Sequence, residues 1–168
     1  MVECGEKWIE LEPEGCFRSE SGTALSFYGE YEHSIDDKGR VTLPSRFREE
    51  LQDGLVMAYW LESCIGVFGK EEFDKLGAEL SSMPTSSKEV RSMSRVLFSR
   101  ASEGVPDRQG RINIPANLRR MAGLDREVVI VGVRNHLEIW QKAKWQQYVD
   151  EGAETYVQNA ESLTDRGF

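Results

Sequence analysis

The feature that most restricts the fold is an internal repeat. Asp36-Asp37-Lys38-Gly39-Arg40-Val41-Thr42-Leu43-Pro44-Ser45-Arg46-Phe47-Arg48 aligns without a gap against Asp107-Arg108-Gln109-Gly110-Arg111-Ile112-Asn113-Ile114-Pro115-Ala116-Asn117-Leu118-Arg119, at an offset of 71 residues. Asp, Gly, Arg, Pro and the final Arg are identical, and apolar meets apolar at three further positions. After a one-residue slip the match resumes, pairing Val56 with Val128, Ile65 with Leu137, Phe68 with Trp140 and Phe73 with Trp145. The chain is a tandem duplication, and its fold must accommodate two copies of one unit.

Each copy reads as strand, turn, strand, helix, hairpin, helix. Tyr31, His33 and Ile35 alternate with polar residues, as in a half-buried strand. Asp-x-x-Gly-Arg is turn chemistry, because Asp bonds backbone groups ahead of it and Gly tolerates positive φ. Val41-Thr42-Leu43 and Ile112-Asn113-Ile114 are short alternating strands, and Pro44 and Pro115 suit the first turn of a helix. Phe47 and Leu51 share a helix face, as do Leu118 and Ala122, and Gly123 is a helix stop. Leu55–Trp60 with Cys64–Phe68, and Val128–Val133 with His136–Trp140, read as strand pairs, the second closed by a hairpin at Arg134-Asn135. A helix carrying Phe73, Leu76 and Leu80 ends the first copy; one starting with Trp145, Tyr148 and Val149 and continuing through Tyr156 and Val157 ends the second.

The fold class is therefore α+β. A unit of roughly 45 residues is marginal for a core of its own. The two copies are expected to bury their apolar faces against each other or to interlock, the alternative being two independent beads. The expected divisions are a flexible extension at 1–26, a first unit at 30–80, a linker at 81–100, a second unit at 101–150 and a C-terminal helix or tail at 151–168. In the linker, Val90, Met93 and Leu97 fall on one helical face and Lys88, Arg91 and Arg95 on another.

Charge is unevenly spread. The net charge is −8, yet residues 88–126 carry nine bases against four acids. A polycation that coats nucleic acid is excluded, whereas a local basic patch is not. No apolar run approaches the about 20 residues of a membrane span, and the first residues lack the charge and apolar core of a signal peptide. A cytoplasmic protein is expected.

An enzyme is not expected. The two histidines, His33 and His136, belong to no ligand-spaced cluster, and no phosphate loop, nucleophile elbow or paired-Cys motif appears. No cofactor or metal is anticipated. Cys4, Cys16 and Cys64 read as thiols, with Cys64 a small buried hydrophobe.

Phe27-Tyr28-Gly29-Glu30-Tyr31-Glu32-His33-Ser34-Ile35-Asp36-Asp37-Lys38-Gly39-Arg40, with Leu43-Pro44 and Arg46-Phe47-Arg48 beyond, resembles the start of the MraZ family. The second Asp107-x-x-x-Arg111 copy, Ala101-Ser102-Glu103 and Leu137-Glu138-Ile139-Trp140 fit the same family, over about residues 27–150. These are bacterial transcriptional regulators of the division and cell-wall gene cluster. The resemblance implies two swapped-hairpin units of SpoVT/AbrB type per chain and a homo-oligomeric ring. It also implies binding to direct repeats of double-stranded DNA in the chain's own promoter, with repression of that operon and hence nucleoid association. The family usually begins with Met directly before the Phe of Phe27-Tyr28-Gly29, where Ser26 stands here, so residues 1–25 are an addition or an over-extended start.

The family's DNA-contacting role carries over to Arg40 and Arg111. An arginine fork suits two acceptors on guanine or a phosphate. Lys38 and Arg108 lie inside the turns and add candidate phosphate contacts. Arg48 and Arg119, which match each other after each Pro, are further DNA-binding candidates because the resemblance implies a DNA-facing helix start there, and Arg120 adds charge beside Arg119. Asp36 and Asp107, as anions, either orient the arginines or bond backbone N–H groups in the turn. A competing reading makes each Asp–Arg pair a salt bridge that only fixes its turn. The competing class is an assembly scaffold or antitoxin-like interaction module, which has no need for arginine at both motif ends.

Overall fold

The computed structural model describes residues 26–164. The expected extension at 1–26 thus lies, except for Ser26, outside the described residues, as do residues 165–168 of the expected tail. Strand β1 (Phe27–Ser34) leads through the first Asp-x-x-Gly-Arg turn into β2 (Arg40–Thr42) and helix α1 (Ser45–Leu51). A hairpin of β3 (Leu55–Tyr59) and β4 (Ile65–Gly69) follows, then α2 (Lys70–Ser82) and α3 (Lys88–Ser99). The second copy repeats the order with β5 (Ser102–Gly104), β6 (Arg111–Asn113), α4 (Ala116–Ala122), β7 (Glu127–Arg134), β8 (His136–Gln141) and α5 (Lys142–Thr164).

The copies interlock, and the independent-bead alternative is overturned. One antiparallel sheet runs β1-β7-β8-β4-β3-β5, so the first strand of each copy lies against the hairpin of the other. The two hairpins meet at the centre through β4 and β8. A second, two-stranded ribbon joins β2 to β6, again across the copies. The physical reason is burial. One cluster contains Phe27, Val41, Phe47 and Leu55 from the first copy and Ile112, Leu118, Val128 and Ile139 from the second. Neither copy alone supplies enough apolar surface to close this core.

Local chemistry accounts for the ends of the elements. Pro44 and Pro115 stand one residue before their helices rather than inside the first turn, with ψ near 140°. Their rings fix φ, and their carbonyls accept from Phe47 N–H and Arg119 N–H to close the first turn. Gly123 ends α4, its N–H reaching back to the carbonyls of Arg119 and Arg120. The β7–β8 hairpin turns on Arg134-Asn135, whereas β3 and β4 are joined by a single 3-10 turn at Leu61–Ser63.

Two further sequence expectations need correction. Ile35 is buried but lies beyond β1, and the fully buried anchor of that strand is Phe27. The apolar face expected on α3 is only partly covered: Leu97 is buried, Val90 half-buried, and Met93 is 39% exposed. On its basic face, Arg91 turns back to donate to the carbonyls of Thr85 and Ser86.

Candidate nucleic-acid interface

The two Asp-x-x-Gly-Arg turns fold identically. Asp36 Oδ1 accepts from the N–H groups of Lys38 and Arg40, both at 2.9 Å, while Oδ2 accepts from Arg40 Nε at 2.8 Å and Nη2 at 2.6 Å. Asp107 repeats the pattern, with Oδ1 on the N–H groups of Gln109 (2.9 Å) and Arg111 (3.0 Å) and Oδ2 on Arg111 Nε (2.8 Å) and Nη2 (2.7 Å). Each carboxylate thus shapes its turn with one oxygen and holds the arginine with the other. Gly39 and Gly110 adopt φ of 81° and 72°, which glycine takes without steric cost.

These contacts hold both carboxyls at about 2, the arginine side-chain hydrogen bond being the largest cause in each. An ordinary Asp titrates near about 3.9. A depressed folded value means that the stabilisation is complete above about pH 4 and is lost as pH falls toward 2. Carboxyl-carbon NMR titration should therefore place Asp36 and Asp107 near 2. Midpoints at the ordinary value would contradict the geometry.

The ribbon decides where the arginines point. In β2–β6, Val41 pairs with Ile112, and both are buried. Strand alternation then puts Arg40, Thr42, Arg111 and Asn113 on the opposite, outward face. Arg40 opposes Asn113 and Arg111 opposes Thr42, so the two arginines are diagonal neighbours with Cα atoms roughly 7–8 Å apart. Their side chains are 29% and 28% exposed, with the Nε edge of each turned to its aspartate. The Asp36 hydrogen bond raises the Arg40 pKa, and the charge of Asp107 from the second copy adds a smaller push in the same direction.

Lys38 and Arg108 are exposed on the turns. Arg48 and Arg119 are half-buried and make a different set of contacts. Arg48 Nε donates to the carbonyl of Leu43 at 2.9 Å and Arg119 Nε to that of Ile114 at 3.1 Å. Sequence reasoning did not anticipate Arg46, which donates to the Tyr31 hydroxyl and lies over the Phe47 ring. The only signal was its place between Pro44 and Phe47. Cys64 is buried, its thiol pushed up chiefly by desolvation and donating to the Leu61 carbonyl. Among the described residues, no group of three or more His, Cys, Asp or Glu is placed to hold a metal ion, and no helix is long and apolar enough to cross a membrane.

Two interleaved copies of one unit, meeting in a ribbon with an arginine turn from each, define a tandem swapped-hairpin α+β protein. The chain belongs to the MraZ family. The family described as "MraZ protein, putative antitoxin-like" matches residues 26–96 and again 97–167. A protein of Kocuria rhizophila named transcriptional regulator MraZ is 47% identical over 137 residues, covering 82% of this chain and 96% of the relative. Proteins of the same name from Halothermothrix orenii and Lactobacillus delbrueckii subsp. bulgaricus are each 43% identical, covering 84% and 83% of this chain and 99% and 97% of the relatives.

Proposed function

We propose that the chain is a sequence-specific DNA-binding regulator of transcription that lays the β2–β6 ribbon into the major groove. The observation that carries this reading is the pair of arginines on one outward ribbon face. A major groove admits a two-stranded ribbon. The diagonal separation also approximates two base steps of about 3.4 Å each. Arg40 and Arg111 then read guanine edges or clamp phosphates, while Asp36 and Asp107 hold their guanidinium planes. Lys38 and Arg108 add phosphate contacts from the turns. Thr42 and Asn113, each opposite one of the arginines on the ribbon, supply further hydrogen-bonding groups.

A ring of such chains on direct promoter repeats gains avidity from linking weak contacts. We assign the chain to repression of its own division and cell-wall gene cluster by this means. The acidic remainder limits nonspecific coating. The relatives named as transcriptional regulators support this reading over the scaffold alternative, to which the antitoxin-like wording of the family description points.

Gel-shift titration on the upstream DNA, with oligomer size read by light scattering, tests the reading. Four cationic contacts per ribbon predict a slope of log affinity against log salt of about −3 to −4. A steep fall is the expected result. Flat affinity, or no shift of upstream DNA at any salt, would exclude it.

A further inference from the structure

Arg48 and Arg119 do something that their position after each proline does not suggest. Each reaches across to the turn of the other copy. A Cβ built on Gly39 would stand 2.8 Å from Cζ and Nη2 of Arg119, and one on Gly110 would collide with Nε of Arg48. The guanidinium groups therefore lie directly against the two turn glycines. The backbone is crossed in the same way: Ile114 N–H donates to the Gly39 carbonyl at 2.9 Å, and Leu43 N–H to the Gly110 carbonyl at 2.8 Å. Ile114 and Leu43 are the residues whose carbonyls accept from Arg119 and Arg48. Each arginine thus closes a bracket made of its own Pro-preceding peptide and the opposite glycine turn.

We propose that Arg48 and Arg119 are positioning residues that brace the arginine turn of the opposite copy, so that Arg119 sets Arg40 and Arg48 sets Arg111. Their Nε–H groups are spent on the Leu43 and Ile114 carbonyls, and their planes fill the space where a side chain at Gly39 or Gly110 would sit. The planar, Nε-bonded fork is the required property, not the positive charge. Lysine keeps the charge but has neither the plane nor an N–H at the Nε position. The binding half of this inference rests on the DNA-binding reading; the bracing half does not.

The test has two arms on the full chain. Without DNA, hydrogen exchange in Arg119→Lys should accelerate about tenfold at the Gly39, Arg40 and Ile114 amides and leave Gly110 and Arg111 unchanged, the loss expected for one hydrogen bond from a charged donor. Arg48→Lys should do the reverse. Unchanged exchange, or acceleration in the variant's own copy alone, overturns the bracing whatever the DNA result. With DNA, Arg119→Lys should lose about tenfold in affinity, as Arg119→Ala does, and a double-mutant cycle should couple Arg119 to Arg40 but not to Arg111. Full affinity in Arg119→Lys, or equal additivity with both turn arginines, would make Arg119 a direct charge contact and overturn the positioning role. If exchange shifts as expected while no variant or parent binds DNA, the DNA-binding reading fails and the bracing stands.

Discussion

Replacing Arg40 and Arg111 together with alanine is expected to weaken specific DNA binding strongly while leaving the fold intact. Each well-aligned arginine–base contact contributes about 1–3 kcal/mol of discrimination. Losing both from one ribbon therefore weakens binding by roughly thirtyfold to more than ten-thousandfold, before any avidity across a ring amplifies it. The fold should tolerate the change. Val41 and Ile112 anchor the ribbon from its buried side, and the aspartates keep their bonds to the Lys38 and Gln109 N–H groups. Exposed ion pairs contribute little to stability. Gel shifts beside thermal melts separate the two quantities. Near-parental affinity in the double variant would remove the assignment of these residues.

Phe47→Ala is expected to destabilise the protein by about 3–5 kcal/mol. The ring is buried and edge-on to Phe27 and Tyr31, with centroids 5.2 and 5.4 Å away. Those partners lie on β1, the strand that the first copy lends to the hairpin of the second. A void at Phe47 therefore loosens the seam between copies as well as the α1 packing. Leu118→Ala, at the matching place in the second copy, should cost about 2–5 kcal/mol. Urea denaturation measures both. A loss below about 1 kcal/mol at Phe47 would mean the site can collapse around the void, which the shared core should prevent.

The duplication made much of this visible beforehand. Asp36 and Asp107 with their arginines, the Arg134-Asn135 hairpin and the buried alternation of Val41 and Ile112 follow from short-range chemistry that a single stretch of chain records. The crossing of β1 onto β7 and β5 onto β3 does not. Tyr31 and Ser102 carry the same alternation whichever copy their strands join, so only the size of the core hinted that the copies share it. Arg48 and Arg119 read as helix-start charges because the glycines they cover are about 60 and 80 residues away in sequence. No local pattern reports a contact of that span. On α3, helical periodicity grouped Met93 with Leu97, but only Leu97 packs into the cluster with Ala58 and Leu80, while Met93 stays 39% exposed.

A photo-crosslinking amino acid in place of Thr42 or Asn113 tests the ribbon assignment most directly. Asn113 lies opposite Arg40 and Thr42 opposite Arg111 on the same outward face; Tyr156 on α5, 72% exposed, serves as the control. Irradiation on upstream DNA should link the chain to DNA from positions 42 and 113 and not from 156. Crosslinks from Tyr156 with none from the ribbon would show that DNA lies on another surface.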